Sequence, residues 1–449
     1  MLFWILALFG CLQKFLPNNE AFSHVFVFCR QYRSPLLHSP LRISHFGTTN
    51  QSLADRGLLS ENSTITVESI LGNANIVQKP SKKANFNGTI GVIIQPESKG
   101  FEFSLIAIKK LDYIFPNWYT VNLDEDVEVY ADKSLNSSWV SAVKTASENL
   151  KESKDSTLVI PSFSFTGWSQ WDLQEFLHVK GNVKEFINLV LVECESKKYD
   201  GILLNFDTLH SETIRMTQDK QAIGKWARSL HAFIRQISQE LKKRSLKLFV
   251  TTTPLTVSLG NVYLIPPSLM LTTLNEKLID GVIIVGKEKR KCTRSCNYTP
   301  RFIDTSLSQI LTHFPELGQE LPNAFSSSSF RKNLIQPDEQ ISSEMKKTVL
   351  PNIFVSLSTI GNEILDGRYK GDVSGKRYLS ILSTHKTHLE WDEHCDELDI
   401  TYSDSVRTHD LFYPTLKGLK HRIDVIDNYG ANVVFENFGD GLLYFMDLT

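Results

Sequence analysis

A short apolar segment places three side chains of different chemistry on one face of a predicted strand. Residues 201–206 are rich in strand-forming side chains, and Asp207 follows them directly. Successive side chains of a strand point to opposite faces, so Leu203, Asn205 and Asp207 share one face. Asp207 offers a carboxyl group that could act as a general acid, and Asn205 offers an amide that hydrogen-bonds without carrying charge. Leu203 contributes no chemistry.

The same segment resembles the catalytic strand of family-18 glycoside hydrolases, whose pattern is Asp-x-x-Asp-x-Asp-x-Glu. The four pattern positions are occupied by Asp200, Leu203, Asn205 and Asp207. The family cleaves by substrate assistance, in which the acetamide oxygen of the sugar attacks the anomeric carbon. The resemblance implies a shortened acid at Asp207, an acetamide-holding amide at Asn205 and a lost carboxylate at Leu203. Because a misplacement of about 1 Å can cost roughly a hundredfold in rate, we expect a disabled or very slow site.

Two other interpretations of Asp207 stay open. Family-85 endoglycosidases resemble family 18 in mechanism and carry an Asn two residues before the acid. The tripeptide Asn205-Phe206-Asp207 has that spacing, with Asp in place of Glu. On this interpretation the chain is a slow endo-N-acetylglucosaminidase or chitinase, with Asp207 as acid and Asn205 as acetamide holder. Alternatively, Asp207 merely caps the turn or helix after the strand.

The composition is that of a large globular protein without a strongly charged surface. The chain has 449 residues, of which 41% are hydrophobic and 22% charged, and its net charge is −2. This balance does not favour nucleic acid as a partner. No spacing of His and Cys indicates a zinc site, so we expect neither a metal nor a cofactor.

The N-terminal residues predict export. The apolar run 2–12 is too short to span a bilayer and is typical of a signal peptide, which we place at residues 1–23. A short membrane anchor is the alternative. No other segment is long and apolar enough to cross a membrane, so we expect a secreted or endolysosomal protein. Glycosylation sequons at Asn50, Asn62, Asn87, Asn136 and Asn297 agree with this location.

The cysteines are compatible with an oxidising compartment. An odd number remains after removal of Cys11, which predicts one thiol that is free or bonded to another molecule. Cys194 lies on the apolar side of a predicted helix and is expected in the core. Cys292 and Cys296 are near enough in sequence to bridge a loop.

Eight candidate strands alternate with helical patterns after about residue 85. They cover residues 89–94, 119–123, 158–163, 201–206, 248–252, 281–285, 353–357 and 431–435. Such alternation is typical of a parallel sheet covered by helices, and eight units in one run favour a closed barrel. We therefore predict an α/β protein with a (β/α)8 TIM barrel over residues 86–449.

Two additions to the barrel are predicted. Residues 24–85 are rich in Ser, Asn and Pro and suggest an extended, loosely structured N-terminal arm with a short helix near Val67. Residues 388–402 predict a small β excursion before the last helix. We expect poor order over 366–386 and long loops over 289–351.

Several separated segments resemble one subgroup of family 18, the chitinase domain-containing proteins. They are Asp55-Arg56-Gly57-Leu58, Ile160-Pro161 with Trp168, Tyr199-Asp200-Gly201, Ile279-Asp280-Gly281, Glu390-Trp391-Asp392, Phe412-Tyr413-Pro414-Thr415-Leu416-Lys417 and Gly439-Asp440-Gly441-Leu442. The resemblance implies a barrel without the full catalytic signature that is secreted or lysosomal. It also implies binding of chitin-type oligosaccharides, binding of lipopolysaccharide, and association with a scavenger receptor.

The chain departs from active family-18 members at two further strands. Active members end the sixth strand in Met-x-Tyr-Asp, where this chain has Val285, Lys287 and Glu288. At the eighth strand, Glu436 followed by Asn437 replaces the Trp that floors the sugar cleft. These departures favour a lectin over an efficient chitinase, with Lys287, Glu288, Glu436 and Asn437 lining the remaining cleft.

Aromatic side chains near the strand ends could still bind a sugar. Sugars stack an apolar face on indole rings while rim side chains bond their hydroxyl groups. Trp168 and Trp171 follow the third strand and Trp391 lies in the β excursion, whereas Trp118 and Trp226 are expected in the core.

A basic run over residues 287–294 follows the sixth strand. It could meet the phosphates of lipopolysaccharide, or it could simply be a solvated loop. A third function class stays open, a protein-interaction module in which the cleft is vestigial.

Overall fold

The computed structural model describes most of the chain from residue 47 onward. The described residues are 47–59, 65–79, 86, 88–124, 126–149, 156–179, 181–206, 220–255, 265–286, 299–320, 348–393, 395–404 and 407–448, without the side chains of 220–223, 319–320 and 348–349. The chain divides into two units, and these residues belong to the unit Phe46–Thr449.

Strands and helices alternate along most of the described chain. The strands are β1 Gly47–Thr49, β2 Ile76–Gln78, β3 Ile90–Ile94, β4 Tyr113–Pro116, β5 Tyr119–Leu123, β6 Val127–Ala131, β7 Leu158–Val159, β8 Ser162–Ser164, β9 Gly201–Asn205, β10 Lys247–Thr252, β11 Gly281–Ile284, β12 Gln319–Glu320, β13 Thr348–Val349, β14 Ile353–Ser358, β15 Gly361–Leu365, β16 Arg368–Val373, β17 Thr387–Asp392, β18 Glu397–Ser403, β19 Thr408–Tyr413 and β20 Asn432–Glu436. The α-helices are α1 Val67–Asn73, α2 Gly100–Ile106, α3 Ser137–Glu148, α4 Gln170–His178, α5 Asn182–Lys197, α6 Lys220–Lys242, α7 Pro267–Asn275, α8 Pro300–His313, α9 Gly375–Thr384 and α10 Leu416–Asn428.

Parallel strands close into a barrel with eight positions. Six positions are filled by β3, β9, β10, β11, β14 and β20, while the second is divided into β4 and β5 and the third into β7 and β8. The first halves in chain order, β4 and β7, pair in the order β3–β4–β7. The second halves, β5 and β8, pair in the order β5–β8–β9. The two divided strands therefore close the ring. The predicted (β/α)8 barrel is therefore confirmed.

A proline accounts for each divided strand. Pro116 ends β4, and Pro161 lies between β7 and β8. Proline has no N–H to donate to a strand ladder. The carbonyl of Pro161 still accepts a hydrogen bond, which Leu203 N donates at 2.9 Å. The sequence predicts β5, whereas β4, which forms the other half of the same barrel position, was not predicted.

Four side chains join neighbouring strands at the amino-terminal end of the barrel. Each accepts a backbone N–H at 2.8–2.9 Å. The pairs are Asp112 with Ile90, Asp200 with Val159, Asp280 with Leu248 and Asn432 with Thr89. Asp200 also pairs with Lys144 at 2.9 Å. The first Asp of the resembled catalytic pattern therefore fastens the scaffold, at the opposite end of its strand from Asn205.

The barrel lumen is filled by apolar side chains. They are Ile93, Phe115, Ile160, Leu203, Phe249, Ile283, Val285, Phe354 and Val434. Phe249 lies at the centre of this packing, with its ring centroid 5.3 Å from that of Phe115 and 5.5 Å from that of Phe354. Leu203 is 1% exposed. It therefore faces the lumen, as the alternation along its strand predicts.

The β excursion between β14 and α10 is larger than predicted. It is a five-stranded antiparallel sheet in the order β16-β15-β19-β18-β17, with α9 between β16 and β17. The prediction of poor order over 366–386 is wrong, since this stretch contains β16 and α9. Its composition of Gly, Lys, Arg and Ser hid a strand that is exposed along most of its length. In the predicted loop region 289–351, α8 is the main described element.

A buried carboxylate fastens the excursion. Glu363 accepts hydrogen bonds from Tyr402 at 2.7 Å, His409 Nδ1 at 2.6 Å and Lys370 at 3.2 Å, and it also pairs with Arg377. Burial alone would raise the pKa of Glu363, but these hydrogen bonds and the Arg377 charge hold it below its usual value. Four strands and a helix are thus joined at one side chain.

Glycines allow the excursion and the C-terminal turn to approach the barrel. A Cβ atom on Gly441 would lie 2.4 Å from Thr359 O, and one on Gly439 would lie 2.0 Å from Gly100 N. Gly439 also has a φ of 100°, which favours glycine. These close approaches explain why the Gly-Asp-Gly-Leu segment needs glycine at both positions.

The described part of the predicted N-terminal arm is ordered. β1 and β2 pair in parallel, and α1 begins at Val67, where the sequence predicts a short helix. Arg56, from the Asp-Arg-Gly-Leu segment, pairs with Asp447 near the other end of the chain. Among the described helices, none combines the length and apolar character required to cross a membrane.

The two described cysteines differ in state. Cys194 is a free thiol buried on α5, as predicted, and burial raises its pKa to about 12. Cys395 is disulfide-bonded. Cys292 and Cys296 also lie outside them, so the loop-bridging prediction stays untested.

Candidate functional site

The last lumen-facing side chain of each barrel position contributes to a ring at the carboxyl ends of the strands. In barrel order the ring consists of Gln95, Asn117, Ser164, Asn205, Thr251, Val285, Ser358 and Glu436. Several members follow an apolar lumen residue by two positions, as Gln95 follows Ile93 and Asn205 follows Leu203. Barrel enzymes carry their active sites at this end.

Five ring members form one continuous chain of hydrogen bonds. Thr251 Oγ1 donates to Asn205 Oδ1 at 3.3 Å, and Asn205 Nδ2 donates to Ser164 Oγ at 3.2 Å. Ser164 donates to Asn117 Oδ1 at 2.9 Å, and Asn117 Nδ2 donates to Gln95 Oε1 at 3.1 Å. We call these five residues the mouth chain. It crosses barrel positions one to five.

The mouth chain contains no ionisable side chain. Thr251 and Ser164 are 2% and 7% exposed, whereas Gln95, Asn117 and Asn205 are half-buried. Its amides and hydroxyls can donate and accept hydrogen bonds, but they cannot stabilise a developing positive charge as a carboxylate does. The arrangement therefore suits an uncharged polar ligand better than bond cleavage.

Glu436 and Asn437 close the ring at the eighth position. Glu436 is 8% exposed and pairs in register with Ser358, and it is the one carboxylate among the described ring members. Thr359 Oγ1 donates to the backbone oxygens of both Glu436 and Asn437, at 2.8 and 2.9 Å. Asn437 has a φ of 54°, a left-handed conformation that Asn tolerates. Glu436 thus belongs to the ring, while Asn437 forms the turn after it.

Trp168 does not have the environment of a sugar platform. It is 6% exposed, and its Nε1 donates to Val121 O at 2.7 Å. Its indole contacts the rings of Phe165 and Phe176, with centroids 4.9 and 5.4 Å away. The predicted stacking role therefore requires correction for this residue, because packing covers its ring. Trp118 and Trp226 are buried in the core, as predicted.

The other two predicted platform residues lie in different surroundings. Trp171 is 72% exposed in the first turn of α4, which follows β8. Trp391 is half-buried on β17, and Lys417 Nζ lies 4.6 Å from its ring centroid. Lys417 therefore occupies one face of Trp391, whereas Trp171 is open to a ligand.

The remaining predicted site residues cannot be placed. Asp207, Lys287, Glu288 and the basic run 287–294 lie outside the described residues. Of the catalytic pair predicted from the strand pattern, the structure thus locates Asn205 alone.

Four members of the mouth chain were not predicted from the sequence. Gln95, Asn117, Ser164 and Thr251 belong to no catalytic pattern, and each is a common residue type. The signal that could have found them is the alternation of each barrel strand, continued beyond its last apolar lumen side chain by two residues for Gln95, Asn117 and Thr251 and by four for Ser164. This signal requires the strand ends to be known, and the division of β4 from β5 concealed one of them.

Metal chemistry has no support among the described residues. They contain no group of three or more His, Cys, Asp or Glu side chains that could hold a metal ion.

Comparison with known proteins identifies the fold. No protein-family profile matches the chain. The solved chitinase from Chromobacterium violaceum is 10% identical, with a TM-score of 0.58 over 80% of this chain and 97% of that one. A glycoside hydrolase family 18 N-acetylglucosaminidase from Paenibacillus barengoltzii is 10% identical, with a TM-score of 0.52 over 81% and 98%.

A structure solved in the presence of chitooligosaccharides also has a similar fold. YKL-39, solved in the presence of chitooligosaccharides (GlcNAc4), is 9% identical, with a TM-score of 0.53 over 80% of this chain and 98% of that one. The chain therefore has the fold of family-18 chitinases and chitinase-like proteins.

Proposed function

We propose that this protein is a chitinase-like lectin that binds oligosaccharides containing N-acetylglucosamine at the mouth of its barrel, without efficient hydrolysis. The observation that carries the proposal is the neutral mouth chain around Asn205, directly above the apolar side chain of Leu203. Amide and hydroxyl groups of this kind can bond the hydroxyls and acetamide of a sugar. YKL-39, which has the same fold, was solved with chitooligosaccharides present.

Efficient hydrolysis needs groups that this strand lacks. Substrate-assisted cleavage requires a positioned acid and a neighbouring carboxylate that holds the acetamide and tunes the acid. Asn205 and Leu203 stand at the two inner carboxylate positions of the resembled pattern, and Asp207 is one methylene shorter than the family's Glu. Binding without turnover is therefore the expected behaviour.

Calorimetric titration with chitotetraose, followed by product analysis after a long incubation, tests the proposal. We expect saturable heat and no shorter sugars. Appearance of shorter sugars would replace the lectin by an enzyme. The absence of both heat and product would leave the third function class, a protein-interaction module.

Asn205→Leu tests whether the mouth is the binding site. The substitution keeps approximate volume and removes the bonds to Ser164 and Thr251. We expect the Kd for chitotetraose to rise about tenfold or more, which corresponds to one lost buried hydrogen-bonding group. Thermal melting of the variant checks that the barrel is still folded.

Trp171→Ala tests whether an exposed ring at the start of α4 takes part. Its matched control is Tyr369→Ala on the excursion edge strand, because Tyr369 is 61% exposed and Trp171 is 72% exposed. If Trp171 is a sugar platform, its removal raises the Kd for chitotetraose, because the apolar face of the sugar loses the indole on which it stacks. Equal affinities of the two variants would exclude Trp171 from the site.

A residual endoglycosidase is the second candidate function. It is favoured by the fixed position of Asn205, whose amide is held between Ser164 and Thr251 as an acetamide-binding group should be. On this candidate a slow release of products disappears in Asp207→Asn and in Asn205→Leu. The lectin proposal predicts no release to begin with.

Finer assignments rest on the sequence resemblance. The motifs Phe412–Lys417 and Gly439–Leu442 support kinship with the stabilin-interacting chitinase-like protein, and hence binding to lipopolysaccharide and to a scavenger receptor. Replacing Lys289, Arg290 and Lys291 with Ser should weaken lipopolysaccharide binding and leave chitotetraose binding unchanged. Expression in a secretory host, with mass analysis of the product, tests secretion and the cleavage of residues 1–23.

A further inference from the structure

The hydrogen bonds of the mouth chain all run in one direction, from Thr251 toward Gln95. Thr251 Oγ1 accepts the backbone N–H of Phe206 at 2.8 Å and donates its own O–H to Asn205 Oδ1. Asn205, Ser164 and Asn117 each accept from the preceding side chain and donate to the next, and Ser162 Oγ also lies 3.3 Å from Ser164 Oγ. In this orientation Asn205 uses both groups of its amide, Oδ1 to accept from the Thr251 hydroxyl and Nδ2 to donate to Ser164 Oγ.

The direction ends at Gln95, which accepts from Asn117 through Oε1. The Gln95 amide nitrogen then carries two N–H groups, and no described residue accepts a hydrogen bond from them. Gln95 is half-buried at the carboxyl end of β3, on the lumen side of the strand. Its donors are therefore presented at the mouth rather than used within the fold.

We propose that Gln95 is a specificity residue that donates a hydrogen bond to an uncharged acceptor oxygen of the ligand, and that the rest of the mouth chain fixes its orientation. This inference rests on the proposed function, because the ligand class is the neutral oligosaccharide bound there. The acceptor is a hydroxyl or an acetamide carbonyl. Thr251, Ser164 and Asn117 act as positioning residues.

Charge at the mouth favours a neutral acceptor over an anion. The mouth chain supplies no cation, and β20, which ends in Glu436, pairs directly with β3. The amides and hydroxyls of the mouth chain therefore offer hydrogen bonds to an uncharged acceptor without offering a cation to an anion.

Two substitutions of Gln95 test the donor directly. Gln95→Glu keeps the shape and replaces the donating nitrogen with an accepting oxygen, and Gln95→Leu removes both groups. We expect each to raise the Kd of the full-length protein for chitotetraose about tenfold. If the wild-type protein binds and both variants bind as tightly, Gln95 makes no ligand contact and the inference is wrong while the proposed function stands.

Thr251→Val tests whether the mouth chain fixes the orientation of the Gln95 amide. The matched control is Thr252→Val, since Thr252 is also 2% exposed but donates to Thr253 O and lies outside the mouth chain. With selective ¹⁵N labelling of Gln side chains, Thr251→Val should shift the Gln95 amide resonance, and Thr252→Val should not. Thr251→Ser, which keeps the hydroxyl, should restore both the resonance and the affinity.

The other possible results of these experiments also support or overturn the proposed role of Gln95. Identical Gln95 resonances in Thr251→Val and Thr252→Val would show that the chain does not orient Gln95, which overturns the positioning part. If the wild-type protein gives no heat with chitotetraose, the proposed function and the ligand assigned to Gln95 fail together. A changed affinity without a changed melting temperature supports contact with the ligand rather than a loss of fold.

Discussion

Arg56 and Asp447 form a buried ion pair that joins the two ends of the described chain. Arg56 NH2 lies 2.7 Å from Asp447 Oδ2, and the two side chains are 5% and 0% exposed. Asp447 also accepts the backbone N–H of Gln78 and has Lys110 Nζ at 3.8 Å. Burial raises the pKa of Asp447 even though these partners lower it, so the desolvation of this carboxylate is only partly offset.

Arg56→Met should destabilise the protein strongly. The substitution leaves the buried Asp447 carboxylate without its nearest cation. We expect the free energy of unfolding to fall by about 3–5 kcal/mol, measured by urea denaturation. The matched control is Lys243→Met, which breaks an exposed pair with Glu240 and should have little effect. Similar losses in both variants would contradict a structural role specific to the buried pair.

Glu363 should make the folded protein less stable as the pH falls into the acid range. Its pKa is lower in the folded protein than in the unfolded chain, where it is about 4.3. The ionised group therefore stabilises the fold above about pH 4.3, and this contribution is lost as the pH falls toward the folded value.

Glu363→Gln should separate this contribution from other acid effects. We expect lower stability than wild type at pH 7, because Arg377, Lys370 and His409 lose their shared anion, and a smaller loss of stability on acidification. Thermal melting between about pH 7 and pH 3 measures both effects. Glu390→Gln, at an exposed position of β17, serves as the control. Parallel melting curves for all three proteins would rule out Glu363 as the titrating group.

Leu203→Asp should not create a working hydrolase. The new carboxylate would lie among Phe115, Phe249 and Phe354 in the apolar lumen. We expect a loss of at least about 3 kcal/mol in unfolding free energy, since a buried charge lacks a partner there. Leu203→Met, which conserves volume, should cost less than about 1.5 kcal/mol. A stable Leu203→Asp variant that releases chitotetraose products would refute this account of the lumen.

Asp200→Ala should affect folding and leave ligand binding intact. Asp200 accepts the Val159 N–H and pairs with Lys144 at the amino-terminal end of the barrel. We expect a loss of about 1–3 kcal/mol in stability, because a backbone donor loses its partner. The Kd for chitotetraose should not change. Asp280→Ala, which removes the corresponding bond to Leu248, should behave in the same way.

The barrel was predictable because its signals are local and repeated. Most of the apolar barrel strands alternate with helices, and the order of such units limits the topology. The exposed strand Arg368–Val373 and the helix Gly375–Thr384 escaped prediction because each is held by contacts outside the element itself, such as those with Glu363.

The candidate site was predictable in part. Asn205 and Leu203 were placed on the lumen face by the alternation of one strand, and the structure puts both there. Trp168 was predicted to lie at the rim because it follows a strand end, but its indole is 6% exposed and donates to Val121 O. Gln95 and Thr251 were missed because only the closed ring of strands brings them into one chain of hydrogen bonds.

The two ends of the Asp200–Asp207 segment have different roles. Asp200 fastens a neighbouring strand, and a Cβ atom on Gly201 would lie 2.3 Å from Lys247 O, so both residues of this dipeptide serve the scaffold. Positions 203 and 205 face the lumen, where Leu203 belongs to the apolar packing and Asn205 to the mouth chain. A search pattern weighted toward Asp-Gly therefore responds to the scaffold of this strand rather than to its chemistry. Under the proposed function, the residues at 203, 205 and 207 are the ones that distinguish binding from hydrolysis.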